Sequence, residues 1–535
     1  MTGAEQPTPR LGPTVATWDM RVTVALASVL IAAAPASAQS PSTVIRGAAV
    51  VDGTGAPAGI ADVRITDGRI AAVGALTASP GEQTIDAHGF TLAPGFIDTH
   101  SHHERGVFES RGALAAVSQG VTTIVVGQDG GFADASTDFP LTNFFTRLES
   151  QPVAVNVASY AGHGVVRRKV MREDYKRAAT DAEVERMRDV LRKEMDAGAL
   201  GLSTGLEYDP GIYSTREEVL ELAKVAAAAG GRYISHMRSE DREFWQALDE
   251  LLNIGRAARI PVQVSHMKLG MRGLWGQGDR LIAMLDRARQ DGVEVTADVY
   301  PYTMWQSSLT TLYPKRNFTD RAETQFILRE VAGPDDLLIS AFAPNPPYAG
   351  KTVRQIAELR KADPTTTLMA LMEMIVDTRT VWPDESVVAT GMAERDIVAL
   401  YRWPFTNVCS DGALDGAHPR GFGSFPRVLG RYVREQHVLA LEEAVRKMTS
   451  LSASSMGLVD RGAIKPGMAA DLVLFDAATI NDRATLSDPH APSVGVKLVW
   501  VNGEIVYADG KTTGRFPGRV IRRSGSGQPD AEASK

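Results

Sequence analysis

TLAPGFIDTHSH, residues 91–102, is an apolar run that ends in Asp98, His100 and His102. Alternate residues of a strand share a face, so these three side chains point together. Acidic and imidazole groups at the end of an apolar strand suit the mouth of a (β/α)8 barrel, where reactive groups sit at the C-terminal ends of the strands. Seven further strand-like runs follow: VTTIVVGQDG (121–130), VAVNVASYAGHG (153–164), ALGLSTGLEY (199–208), RYISHMRSE (232–240), PVQVSHMK (261–268), VEVTADVYPY (293–302) and TNVCSDGA (406–413). Helix-like segments alternate with them. DAEVERMRDVLRKEMDAG (181–198) follows Thr180 and ends at Gly198, and TREEVLELAKVAAAAGG (215–231) has the same helical periodicity. Eight such units predict an α/β chain with a (β/α)8 TIM barrel over residues 95–458.

Outside that frame the texture changes. Residues 43–94 and 459–515 read as short strands punctuated by Asp-Gly and Gly-Thr, the mark of antiparallel hairpins. They predict one small β-sandwich domain built from both chain ends. The stretch from about 310 to 400 is too long for a simple connection and predicts a lid or an added substructure. Residues 516–535 are polar and predict a disordered tail.

Near the start, VTVALASVLIAAA (22–34) follows Arg21 and precedes Ala36-Ser37-Ala38. A short apolar run with an A-x-A site predicts a signal peptide over 1–38, removed to leave a mature chain near Gln39 that is periplasmic or secreted. An uncleaved membrane anchor is the alternative, and Met20 is an alternative start. The net charge of −7, with no run of Lys or Arg, argues against nucleic acid and anionic membranes as partners. The single cysteine, Cys409, rules out an intramolecular disulfide and reads as a small core residue.

Histidines recur where the barrel mouth is expected. His100 and His102 end strand one, His236 strand five, His266 strand six, and Asp411 ends strand eight. Neutral imidazole and carboxylate together suit zinc and its first-row neighbours. A lone H-x-H is a common accident; the joint pattern over four strand ends carries the reading.

APGFIDTHSH and GAIKPGMAADLVLFD resemble the amidohydrolase superfamily. GLSTGLEYDPGIYST, YISHMR, VQVSHMK, DVYPYT, SDGALDGAHPRGFGSFPRVLGRYVRE and the GHG of 162–164 are similar to its N-acyl-D-amino-acid deacylase (D-aminoacylase) branch, from about residue 45 to 507. The resemblance implies metal-dependent hydrolysis of a linear amide, most closely N-acyl-D-amino acids or D-configured dipeptides. It implies one or two divalent ions, zinc first, with His236 and His266 as main ligands and His100 and His102 as a second half-site. Asp411 would move the proton. Lys268, Tyr300 and Arg420 would meet a substrate carboxylate, the partner being a small molecule that carries an amide.

The chain departs from that branch in places. Gln128-Asp129-Gly130 stands where the branch carries a cysteine ligand, so Asp129 is either an oxygen ligand, able to bridge two ions, or a turn residue. No lysine ends strand four; Glu207 there is either a ligand or an orienting group. Gln306 replaces a usual serine. His163 either lines the pocket and supports the oxyanion or is structural. Asp298 reads as structural, His103 as facing away from the site, and His418 as shaping the substrate loop. His88, His437 and His490 read as surface residues, and Trp305 as an acyl cap or core. Two other functions stay open: a cyclic amide hydrolase of hydantoinase or dihydroorotase type, against which the missing strand-four lysine tells, and a non-catalytic barrel scaffold.

Overall fold

A computed structural model describes residues 42–131, 141–377 and 385–525. The signal-peptide reading over 1–38 lies outside the described residues. Among them, no helix is long and apolar enough to cross a membrane.

The two chain ends meet in one nine-stranded sheet. The N-terminal part supplies Thr43–Val50, Gly59–Thr66, Arg69–Gly74, Gln83–Asp86 and Thr91–Pro94; the C-terminal part supplies Leu472–Phe475, Val496–Val501, Glu504–Ala508 and Lys511–Thr512. The seam is antiparallel, with Leu472 opposite Pro94 and Phe475 opposite Thr91. Its turns explain its hairpins. Asp67-Gly68, Asn502-Gly503 and Asp509-Gly510 all take positive φ at both positions, the backbone that matches two-residue hairpin loops. Ile45, Val63, Leu92, Leu472, Leu474 and Trp500 form its core.

Eight parallel strands follow in chain order: Phe96–Asp98, Val121–Val126, Asn156–Ser159 (continued by Ala161–Gly162), Gly201–Gly205, Arg232–His236, Val262–Val264, Val295–Val299 and Thr406–Val408. Beyond the last strand, the Asp411 N–H donates to His100 O at 2.8 Å and the His102 N–H to Gly412 O at 2.8 Å, joining the eighth strand end to the first. Helices lie between, and the fold is mixed α/β. The helix Asp181–Asp196 starts with a capping box in which Thr180 and Glu183 satisfy each other's backbone N–H. Thr215 caps Arg216–Ala228 through the Glu218 N–H.

Two boundaries differ from the expectations, and the insertion takes one of its two expected forms. The run 91–102 is split: Thr91–Pro94 belongs to the terminal sheet and Phe96–Asp98 to the parallel strands. Gly95 lies between them, pressed so closely to Thr122 that any β-carbon would overlap that side chain. The insertion is an added substructure. Met304–Ser307, Leu338–Phe342, Lys351–Thr352 and Glu385–Thr390 form an antiparallel sheet, packed with helices around Leu312, Ile339, Ile356 and Leu371. Finally, the expected disordered tail is ordered over 516–525. The Gly518 N–H donates to Val153 O at 2.9 Å and the Ile521 N–H to Val157 O at 2.8 Å. Arg111 lies over the Phe516 ring at 4.1 Å. These bonds lie at the start of the third parallel strand, opposite its His163 end. Residues 526–535 lie outside the described residues.

Candidate metal centre

His100, Asp129, His266 and Asp411 each offer a ligand atom within 4.8 Å of the others. Asp129 Oδ1 lies 3.4 Å from both His100 Nε2 and His266 Nε2. Its other oxygen is 3.4 Å from His102 Nε2. Asp411 Oδ1 completes the ring at 3.6 Å from His100 Nε2 and 3.3 Å from His102 Nε2. His236 joins on the far side, its Nδ1 3.0 Å from His266 Nε2. The structure thus brings together all five expected ligands and Asp411, from the ends of strands one, two, five, six and eight.

The backbone is bent to achieve this. Asp129, His266 and Asp411 have φ of 54°, 32° and 48°, a region that costs a residue with a side chain of order 1–3 kcal/mol and collects at functional sites. Fixed neighbours hold the bends. Asp298 Oδ1 accepts the His266 N–H at 2.6 Å, and His100 O accepts the Asp411 N–H. Gly205 lies against the Asp129 carbonyl, where a β-carbon would overlap it.

Both ring nitrogens of His100 and Asp129 Oδ1 are buried without a hydrogen-bond partner among the described residues. Unpaired buried groups are costly, and these converge with two further carboxylate and imidazole donors. The donor set fits a first-row divalent cation. A second group, His236, Glu240 and His266, is also close enough to hold an ion. There, however, Lys268 Nζ lies 2.7 and 2.6 Å from the two Glu240 oxygens, so its negative charge is already neutralised.

Electrostatics follow the geometry. Burial pushes the Asp411 carboxyl up, but Arg420, His266 and His102 outweigh it and hold the group well below the usual carboxylate range. For Asp129, burial is likewise outweighed, by His100 and His266. For His102, burial favours the neutral ring, yet Asp129, Asp411 and Glu104 raise its pKa well above the ordinary value.

The expected carboxylate-binding residues are gathered nearby. Arg420 Nη1 is 2.6 Å from Asp411 Oδ2, and its guanidinium lies 4.9 Å from the Tyr300 ring centre. Tyr300 is fully buried, with its hydroxyl unpaired among the described residues. Lys268 is committed to Glu240 and to His266 Nδ1 at 2.8 Å. His418 ties Arg420 to the insertion: its Nδ1 accepts the Arg420 N–H at 3.0 Å, and its Nε2 is 3.1 Å from Met304 O.

The sequence leaves His163 between a pocket role and a structural one. It opens the helix His163–Met171, and its Nε2 lies 2.9 Å from Glu218 Oε1. Glu218 also pairs with buried Arg167. The ring is part of a buried charge network, which favours the structural reading, and its Nδ1 is buried without a partner among the described residues. Two site residues were not singled out from the sequence. Tyr208 Oη is 3.1 Å from His236 Nδ1, and Glu240 Oε1 is 3.1 Å from His266 Nδ1. Glu240 falls at i+4 from His236, a spacing open to notice; nothing local marks Tyr208.

Residues 83–326 and 408–507 match the model of the "Amidohydrolase family". The chain is 38% identical to an N-acyl-D-glutamate deacylase of Alcaligenes xylosoxydans xylosoxydans over 90% of this chain and 97% of that one. Its fold is similar to a D-aminoacylase studied for its binuclear metal centre (34% identity, TM-score 0.81, 90% of this chain and 99% of that one). It is also similar to an N-acyl-D-glutamate deacylase of Bordetella bronchiseptica complexed with zinc and a phosphonate inhibitor that mimics the tetrahedral intermediate (37% identity, TM-score 0.80, 90% and 99% coverage). The chain belongs to the amidohydrolase family.

Proposed function

We propose that this protein hydrolyses the amide of N-acyl-D-amino acids or D-configured dipeptides, with zinc at the centre. The observation that carries this reading is the convergence of His100, Asp129, His266 and Asp411, with Arg420 paired to Asp411. His236 and His266 would hold one ion and His100 and His102 a second, with Asp129 within 3.4 Å of a histidine of each pair. A bound divalent ion polarises the scissile carbonyl and acidifies water. Asp411 takes the proton from the attacking water and later gives it to the leaving nitrogen. The carbonyl carbon gains the water oxygen, the C–N bond breaks, and a carboxylate and a D-amino acid leave. Arg420 and Tyr300 face the substrate's own carboxylate, the guanidinium as a charged donor and the phenol as a neutral one; Lys268 adds positive charge while bound to Glu240.

On this reading the eight parallel strands close as a (β/α)8 barrel over 95–458, and the sheet from the two ends folds as a small sandwich beside it. Residues 1–38 would act as an export signal, which supports a mature enzyme in the periplasm or outside the cell, acting on small molecules.

The test is a screen of the zinc-loaded mature chain on N-acetyl and N-succinyl D-amino acids and D-dipeptides, with L-enantiomers as controls. Release of D-amino acids is expected. Turnover of a cyclic imide with none of the D-substrates would overturn the proposal.

A further inference from the structure

We infer that Glu207, held in place by Arg316 of the insertion, fixes the orientation and tautomer of His236 and so tunes the metal centre; this rests on the metal reading above. Glu207 lies two residues beyond the strand Gly201–Gly205. Its Oε2 is 3.0 Å from His236 Nε2, and its Oε1 accepts the Glu240 N–H at 2.8 Å. The opposite nitrogen of His236, Nδ1, faces His266 Nε2 and Tyr208 Oη. An imidazole that gives its Nε2–H to a carboxylate keeps the Nδ1 lone pair free, and Nδ1 is the nitrogen turned toward the other ligands.

The same geometry argues against Glu207 as a ligand. Both of its oxygens are already used, and it stands across the imidazole ring from Nδ1. It is a positioning residue.

Glu207 is anchored from outside the parallel strands. Arg316 Nη2 donates to Glu207 O at 2.7 Å, and its Nε to Asp209 Oδ1 at 2.9 Å. Its Nη1 donates to Thr310 O at 3.0 Å and Tyr313 O at 2.9 Å, both within the insertion. One guanidinium therefore joins the loop after strand four to the added substructure. A second tie runs from Arg242, beside Glu240, to Glu323 of the insertion at 2.7 Å. The insertion thus supports the carboxylates behind His236 and His266.

Glu207→Gln tests the role with little change of shape. Glu207 accepts from two donors, His236 Nε2–H and the Glu240 N–H. A glutamine has a single acceptor oxygen, so one of them must face an NH2 group. If that is His236, the ring is driven to the other tautomer. The measurement is zinc affinity of the mature chain by competition with a chromophoric chelator, with the visible spectrum of the cobalt-loaded protein beside it. Expected for E207Q is zinc affinity about 10- to 100-fold weaker and an altered cobalt spectrum, with a metal-free protein that still folds cooperatively. Should E207Q fail to fold, Arg316→Lys, which reaches Glu207 only through its main chain, should weaken zinc binding several-fold and shift the cobalt spectrum.

Wild-type affinity and spectrum in E207Q, or in R316K when that variant is the one measured, would overturn the inference. So would a lower melting temperature with affinity unchanged, the sign of a merely structural role. A wild-type chain that binds no zinc would overturn the metal reading and this inference together.

Discussion

Arg420 Nη1 stands 2.6 Å from Oδ2 of Asp411, so the group placed to move a proton shares a cation with the place proposed for the substrate's carboxylate. Arg420→Gln removes that cation from both. The charged hydrogen bond lost on the substrate side is worth about 1.5–3 kcal/mol, so KM for N-acyl-D-amino acids should rise roughly 10- to 100-fold. The corresponding carboxamides, which carry no negative charge, should be far less affected. Equal losses on acids and carboxamides in steady-state kinetics would rule out carboxylate recognition by Arg420.

Asp411 lies within reach of His100 and His102 but is proposed to act on protons. Asp411→Asn keeps the shape and removes the base. A kcat lower by roughly 10²- to 10⁴-fold is expected, with zinc still bound by elemental analysis. Full activity in this variant would place the proton transfer elsewhere.

Asp129 touches three imidazoles with its two oxygens. Asp129→Ala should lower the number of zinc ions retained after gel filtration, because no other described carboxylate spans the two histidine pairs at these distances. Asp129→Cys, which supplies a sulfur donor able to bind zinc, should retain more metal than the alanine variant. Unchanged metal content in D129A would reduce Asp129 to a turn residue.

Much of this was legible in the sequence because it rests on short-range patterns. Period-two apolar runs ending in His or Asp marked the strands, and Asp-Gly and Gly-Thr punctuation marked the hairpins. What escaped depends on contacts between distant residues. The break at Gly95 is set by Thr122, on the neighbouring strand. The sequence leaves His163 between a pocket and a structural role, because its partner Glu218 lies 55 residues further on. The Ser-Gly-rich final residues hid Phe516, Val520 and Ile521 just before them, each of which packs against buried apolar residues.

Within the insertion, burial pushes the Glu385 carboxyl up to about 7, although the Leu309 N–H reaches both of its oxygens. In the unfolded chain the group ionises near its ordinary value of 4.5. Between those two values the folded protein holds the extra proton, so stability falls as pH rises. The loss should total up to about 3 kcal/mol and be complete above pH 7. Melting curves at pH 5 and 8 should therefore differ more for wild type than for Glu385→Gln. Parallel behaviour of the two proteins would exclude this carboxyl as the cause.

The last described residues lie against the third strand through Gly518, where a β-carbon would overlap the Val155 carbonyl. Gly518→Ala should cost about 1–3 kcal/mol, read as a lower melting temperature with KM unchanged, since this contact is at the end of the strand opposite the metal centre. Wild-type stability would show that the strap can move aside.

The proposed centre draws its donors from imidazoles and carboxylates alone. The chain's one thiol, Cys409, is fully buried and its pKa is pushed well above the ordinary value by burial and nearby carboxylates. Thiol-directed reagents would then find no sulfur ligand to modify, and dilute peroxide no coordinating sulfur to consume. Activity of the proposed centre should therefore persist in air without added reductant.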